Sequence, residues 1–70
     1  MDKKLVTIDK KWGIASYKNF QLVTSNLDGD EIHGALFKNG KRISESGWWR
    51  TTDIIRALEK AIYLHNYNLL

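Results

Sequence analysis

The chain has 70 residues and no cysteine, and its 11 basic and 8 acidic residues give a formal net charge of +3. A chain of this length forms one domain and buries only about 60% of its unfolded surface, so packing or self-association must stabilise it. The absence of cysteine excludes disulfides and thiolate metal sites. The modest excess of bases permits contact with nucleic acid without requiring it, and it argues against a protein that mimics DNA.

No apolar run approaches the roughly 20 residues that span a bilayer. The four residues before Leu5 carry two lysines and lead into a short apolar stretch, which is too short for a signal peptide. We therefore expect a cytoplasmic protein with no membrane partner.

The first third of the chain predicts short strands. Residues 4–8 are rich in β-branched side chains, and the polar residues 9–11 predict a reversal. Residues 12–17 predict a second strand, in which Trp12 and Ile14 alternate with small residues. Since alternate strand residues point to the same side, we expect Trp12 and Ile14 to share a buried face.

A third strand is predicted at residues 20–25, after a reversal at residues 18–19. Phe20 and Leu22 alternate with polar or smaller residues, which places both on one side of this strand. The strand ends at residues 26–30, where Asn, Asp and Gly are concentrated. That composition predicts a turn.

Asn39-Gly40 is the strongest turn signal, because a type I′ turn needs positive φ at both central positions. It joins residues 31–37 and 41–49, which we predict as the strands of a hairpin with Phe37 facing Arg42. The period of two then divides the side chains between two faces. The helix-facing group is Ile32, Leu36, Ile43 and Trp49, and the opposite group is His33, Ala35, Phe37, Arg42, Ser44, Ser46 and Trp48.

Residues 52–65 predict one amphipathic helix, and residues 66–70 predict a fraying tail whose apolar end could dock. Thr51 or Thr52 can cap the helix through a side-chain oxygen. The apolar stripe, widened by Ile55, consists of Ile54, Leu58, Ala61, Ile62 and His65.

These elements predict an α+β fold in one domain, residues 1–70. A four- or five-stranded antiparallel sheet built from β-hairpins packs against one C-terminal α-helix. A lone helix of this length is marginal in water, so its apolar stripe must be covered by the sheet.

Residues 8–22 resemble the opening of a family of small phage-encoded domains of unknown function. The shared pattern is an Ile-Asp turn, an aromatic residue, Ile, Ser and then an Asn-aromatic pair that ends in Leu. Residues 47–51 resemble the closing signature of that family, a glycine and two aromatic residues before the final helix, although Thr52 stands where the family usually has Leu. The resemblance implies a phage or prophage origin and an early accessory role without inherited catalytic residues.

Residues that could carry chemistry are few. Residues 28–31 are Asp-Gly-Asp-Glu, but they lack the ligand spacing and closing Glu of a Ca²⁺ loop, so we interpret them as a turn. We expect His65 to pack at the end of the helix and His33 to be an exposed strand residue. A triad would need a strand serine beside His33, the candidates being Ser16, Ser25, Ser44 and Ser46, and none lies in a nucleophile motif. The scattered glycines form no phosphate loop, so we expect no enzyme, no metal and no cofactor.

Trp48 and Trp49 cannot both enter one core, because adjacent strand residues point to opposite faces. One interpretation is that the indole outside the core anchors a partner. The other is that a twisted sheet or a dimer covers both indoles. The first alternative predicts an aromatic and arginine-rich set of the kind that dominates protein interfaces. Its members are Trp48, Arg50, Arg42, Lys41 and Phe37.

The leading hypothesis is a non-enzymatic, phage-type accessory protein that binds a host protein and inhibits or redirects it, as an anti-CRISPR-like inhibitor of a defence nuclease would. The alternative is a duplex-DNA-binding module that resembles the small integrase arm-binding domains. In that module Arg42, Ser44 and Lys41 would face the bases, and the phosphate contacts would come from Lys10, Lys11 and Arg50. The third hypothesis is a homodimer that associates through the helix or the Leu69-Leu70 tail.

Overall fold

The computed structural model describes residues 2–25 and 31–70. All strand pairs are antiparallel, in the order β1-β2-β3-β4-β5, and β6 also pairs with β4. The predicted α+β fold, an antiparallel sheet with one C-terminal helix, is confirmed. Its elements are a 3-10 helix at Lys3–Leu5, β1 (Thr7–Asp9), β2 (Ile14–Tyr17), β3 (Phe20–Thr24), β4 (His33–Lys38), β5 (Lys41–Arg42), β6 (Gly47–Trp48) and α1 (Ile54–Asn66).

The chain enters the sheet later than the sequence predicts. The strand expected at residues 4–8 begins only at Thr7, because Lys3–Leu5 form the 3-10 helix. Asp2 caps that helix, since its carboxylate accepts a hydrogen bond from the backbone N–H of Lys4 at 3.0 Å. Ile8 still packs against the core, so the first strand is anchored to the rest of the sheet.

The prediction that Trp12 and Ile14 share a buried face is wrong. Trp12 belongs to the turn before β2 and is 65% exposed, whereas Ala15 is the fully buried residue of that strand. The carboxylate of Asp9 accepts the backbone N–H of Trp12 at 3.3 Å, and Gly13 has a φ of 65°. This left-handed glycine shifts the alternation, and a Cβ there would overlap the hydroxyl of Thr24.

The two predicted reversals at residues 18–19 and 39–40 are confirmed. Asn39 and Gly40 have φ values of 54° and 78°, as a type I′ turn requires. The N–H of Asn39 donates to the carbonyl of Asn19 at 2.9 Å, so the two turns lie side by side at one end of the sheet. The acidic turn predicted at residues 26–30 lies outside the described residues.

The predicted continuous strand at residues 41–49 is interrupted. β5 ends at Arg42, and the hydroxyl of Ser44 accepts the N–H of Leu36 at 2.8 Å, where a continuous strand would present a carbonyl. The prediction that Ser44 and Ser46 lie on the face of a strand is therefore wrong. The pairing resumes with His33 opposite Trp48, two residues beyond the register of β5. An even shift preserves the alternation, so Trp48 keeps its predicted side.

The face of the sheet that packs against α1 is the covered face. Ala15, Leu22 and Leu36 lie in one row across β2, β3 and β4, and each is 0% exposed. The helix closes this row with fully buried Ala57, Leu58 and Ala61. Ile54, Leu58 and Ala61 follow the predicted stripe, whereas Ala57 was missed.

The helix begins two residues later than predicted, and its cap is Asp53 and neither threonine. The Asp53 carboxylate accepts the backbone N–H groups of Ile55 and Arg56 at 3.0 and 3.3 Å. The hydroxyl of Thr51 in turn accepts the N–H of Asp53 at 3.0 Å. An acidic cap also interacts favourably with the positive end of the helix dipole.

The tail forms a hydrogen-bonded end to the helix. Asn68 has a φ of 56°, and its N–H donates to the carbonyl of His65 at 3.0 Å. The N–H of Leu69 donates to the carbonyl of Leu64 at 2.8 Å, which completes a Schellman motif. No helix within residues 2–25 and 31–70 is long and apolar enough to cross a membrane.

Candidate binding face

The open face is the side of the sheet opposite α1, and it carries the outward residues of the strands. These residues alternate with the buried ones, and the strand registers arrange them in rows. The row that we call the polar row is Thr7, Ser16, Gln21 and Arg42, with Phe37 between the last two. The row that we call the apolar row is Ile14, Val23 and Ala35, with Asp9 at its β1 end. The aromatic pair is His33 and Trp48.

The two neighbouring tryptophans point in opposite directions. Trp49 is 6% exposed within the core, and its indole N–H donates to the carbonyl of Gly34 at 3.2 Å. Trp48 is 57% exposed, and its ring centroid lies 4.6 Å from that of His33. Trp48 is therefore the indole that remains outside the core.

A small residue, Ala35, lies in the middle of the open face. Ala35 is only 5% exposed although it is on the open face. It lies between His33 and Phe37 along β4 and directly opposite Val23 on β3, so larger side chains surround a small one. These neighbours cover Ala35 although no helix of the described residues packs over it.

Gly34, the residue before Ala35 in β4, is small for a different reason. A Cβ on Gly34 would overlap the carbonyl oxygen of Val23, so the backbones of β3 and β4 approach too closely for any side chain there. The Gly34 carbonyl accepts the indole N–H of Trp49. This close approach fixes the buried tryptophan and, through it, the position of Trp48.

The structure brings together three of the five predicted binding residues. Phe37 and Arg42 are directly paired on the open face, and Trp48 lies on the same face opposite His33. Phe37 lies four positions after His33 in β4, which is about 13 Å along the strand. The set thus spans the length of the open face.

Lys41 and Arg50 are placed apart from that group. Lys41 pairs with Lys38, whose ammonium lies 5.3 Å from the ring of Phe20, and Phe20 packs against the core. Lys41 therefore belongs to the side of the covered face. Arg50 follows Trp49 at the opposite end of the sheet from Arg42, exposed and with a φ of 59°.

The structure places one serine beside His33. The hydroxyl of Ser25 lies 2.9 Å from Nδ1 of His33 and 3.3 Å from its carbonyl oxygen, and the Ser25 N–H donates to the same carbonyl. These contacts extend the pairing of β3 and β4 by one residue. No acidic side chain of the described residues hydrogen-bonds to His33, and no group of three or more metal-ligating residues occurs among them. The pair is thus a cross-strand contact that orients His33 beneath Trp48.

His65 packs as the sequence predicts. Its ring meets that of Phe20 edge-on, with centroids 5.6 Å apart, at the last turn of α1. A basic residue there is favourable beside the negative end of the helix dipole. His65 therefore has a structural position on the covered side.

Two apolar residues of the open face were missed from the sequence. Ile14 was assigned to a buried face with Trp12, and Val23 was not assigned. Both are half-buried and directly paired on the open face. The alternation of Phe20 and Leu22 could have predicted that Val23 is on the open face, because the residue next to an inward-pointing one must point outward.

Comparisons with protein-family models, with curated proteins and with solved structures gave no match. The resemblance to small phage-encoded domains therefore stays a prediction. The candidate function must be argued from the open face itself.

Proposed function

We propose that this chain is a non-enzymatic protein-binding module that acts through its open face. The observation that carries the proposal is the 57% exposure of Trp48 on the same face as Phe37 and Arg42. The resemblance to phage domains suggests an accessory protein that inhibits or redirects a host protein, with an anti-defence role as the specific expectation.

The chemistry of the open face supports protein binding. Tryptophan and arginine are the residues that most often dominate the energetics of protein interfaces, and they act best around an apolar centre. Ile14, Val23 and Ala35 supply such a centre.

The test is a pull-down from bacterial lysate with the tagged protein after nuclease treatment. We expect one protein to be captured in a fixed ratio by the wild type and lost with Trp48→Ala. Tyr63→Ala is the matched control, because Tyr63 is also aromatic and 57% exposed but lies on α1. Equal capture by wild type and Trp48→Ala would contradict the proposal.

One observation favours duplex DNA as a second candidate partner. Thr7, Ser16, Gln21 and Arg42 lie in register across the sheet, and hydrogen-bonding side chains in such a row can contact base edges in the major groove. The carboxylate of Asp9 on the same face opposes this, since it would approach phosphates. A steep loss of duplex affinity with added salt would support DNA binding, and an affinity unchanged by salt would exclude it.

A further inference from the structure

The strongest unexplained feature outside the open face's centre is the hairpin end, which we define as Lys18, Lys38, Lys41 and Arg42 around the two adjacent turns. The hydrogen bond between Asn39 and Asn19 holds these turns together. Among the described residues, the hairpin end contains a single ion pair, between Arg42 and Glu45 at 3.7 Å. The Glu45 side chain is 95% exposed, so that pair is strongly screened by water.

Lys38 and Lys41 are paired directly across the hairpin. Like charges at directly opposite positions destabilise a strand pair. The two-residue turn fixes this register, so the repulsion cannot be relieved by slippage. The pair therefore works against the stability of the free protein, which is the pattern expected where a sequence serves a ligand.

Part of the positive charge at this end has a structural explanation. The ammonium of Lys18 lies 5.4 Å from the Tyr17 ring, and that of Lys38 lies 5.3 Å from the Phe20 ring. These cation–π contacts position two lysines. Lys41 is exposed and has no such contact among the described residues, so its charge is the one that is left for a partner.

Several acidic residues are occupied elsewhere. Asp2, Asp9 and Asp53 each accept backbone N–H groups at turns or helix starts. Their charges therefore serve local structure away from the hairpin end. Among the described residues, Glu45 is the one acidic side chain in an ion pair with this end, so an acidic partner would add the negative charge that balances the remaining lysines.

We infer that the hairpin end receives an acidic segment of the protein partner, which wraps around the edge at β5 to reach Arg42 on the open face and Lys41 on the other, while Trp48 buries against an apolar part of the partner. This inference rests on the proposed function. An apolar centre with charges at the rim is typical of protein interfaces. Duplex DNA would instead present phosphates across the whole face, including the position of Asp9.

The first test is the stability of Lys41→Glu, which turns the like-charged pair into an opposite-charged one. We expect its Tm in low salt to rise by about 1–4 °C. Lys10→Glu is the control, because it makes the same charge change in the turn at the opposite end of the sheet. A lower Tm for Lys41→Glu, or an equal rise for both variants, would overturn the argument from repulsion.

The second test titrates the ¹⁵N-labelled protein with a poly-L-glutamate peptide of about 20 residues at low ionic strength, where surface charges are weakly screened. We expect amide shifts concentrated at residues 18–20 and 38–42. Affinity should fall about 3- to 10-fold for Lys41→Glu and less than about 2-fold for Lys10→Glu. Absent shifts, or equal losses for both variants, would contradict the inference.

A parallel titration with a duplex of about 20 base pairs decides between the two macromolecules. We expect any duplex-induced shifts to spread over exposed lysines and to disappear at moderate salt. Shifts concentrated on the polar row, at Thr7, Ser16 and Gln21, with a steep salt dependence would replace the acidic protein by nucleic acid.

Capture from lysate separates this inference from the proposed function. Loss of the captured protein with both Trp48→Ala and Lys41→Glu supports both proposals. Loss with Trp48→Ala alone overturns the role of the hairpin end and leaves the proposed function in place. Retention with both variants overturns the proposed function itself.

Discussion

The two faces of this sheet are built from adjacent residues and differ in what they contact. On the covered face, Leu22 and Leu36 are fully buried beneath α1. On the open face, Val23 and Phe37 are only half-buried, and no element among residues 2–25 and 31–70 packs over them as α1 does over the other side. One helix covers one face, and the opposite face stays open to solvent.

The comparison is sharpest at the two tryptophans. They differ by one position in the chain, yet one is 6% exposed and the other 57%. We expect Trp49 to stabilise the fold and Trp48 to stabilise a complex. The following substitutions test that division, beginning with the largest expected effect.

Trp49→Ala should remove a large part of the protein's stability. Removing a buried tryptophan costs about 3–5 kcal/mol, and a domain of this size has a total stability of roughly 4–10 kcal/mol. The loss of the indole donor also leaves the carbonyl of Gly34 without that bond. Circular dichroism with urea unfolding measures the change, and a loss below about 1 kcal/mol would contradict the assigned core.

Leu22→Ala and Val23→Ala form a matched pair on the two faces of β3. Leu22 is 0% exposed, so its truncation should cost about 2–5 kcal/mol. Val23 is half-buried and loses fewer carbons, so its truncation should cost less than about 1.5 kcal/mol. The two free energies come from urea unfolding, and similar values would contradict the division between the faces.

Asp53→Ala should cost about 1 kcal/mol, because two backbone N–H groups at the start of α1 lose their acceptor. Thr52→Ala is the control, since Thr52 is exposed and the cap is its neighbour. We expect Thr52→Ala to change stability by less than about 0.5 kcal/mol. Thermal unfolding of both variants measures the two losses of stability. A larger loss for Thr52→Ala than for Asp53→Ala would indicate that a threonine caps the helix, as the sequence predicted.

The sequence predicts the parts of this fold that depend on local periodicity. Asn39-Gly40 predicts its turn because few residues adopt positive φ, and the helical stripe predicts which side of α1 is buried. The alternation along the hairpin places Trp49 in the helix-facing group and Trp48 in the opposite group, but the sequence alone leaves open which of the two is buried. That division holds because the interruption between β5 and β6 adds an even number of residues.

The failed predictions depend on contacts that periodicity does not encode. Gly13 takes a left-handed conformation, which ends the alternation that linked Trp12 to Ile14. The hydroxyl of Ser44 accepts the N–H of Leu36 in place of a strand carbonyl. That hydrogen bond depends on where Leu36, eight residues earlier, lies in the fold. The exposed tryptophan could be proposed from sequence as an anchor, whereas the pairing of Ala35 with Val23 on the open face required the register of β3 and β4.

The most direct measurement compares Trp48→Ala with the wild type for both stability and capture of a partner. We expect the unfolding free energy of Trp48→Ala to lie within about 1 kcal/mol of the wild type, because more than half of the Trp48 side chain is already in water. We also expect that Trp48→Ala fails to capture the protein that the wild type captures from nuclease-treated lysate. A variant that unfolds like Trp49→Ala, or one that is folded and still captures the partner, would contradict the central claim that the open face is the binding face.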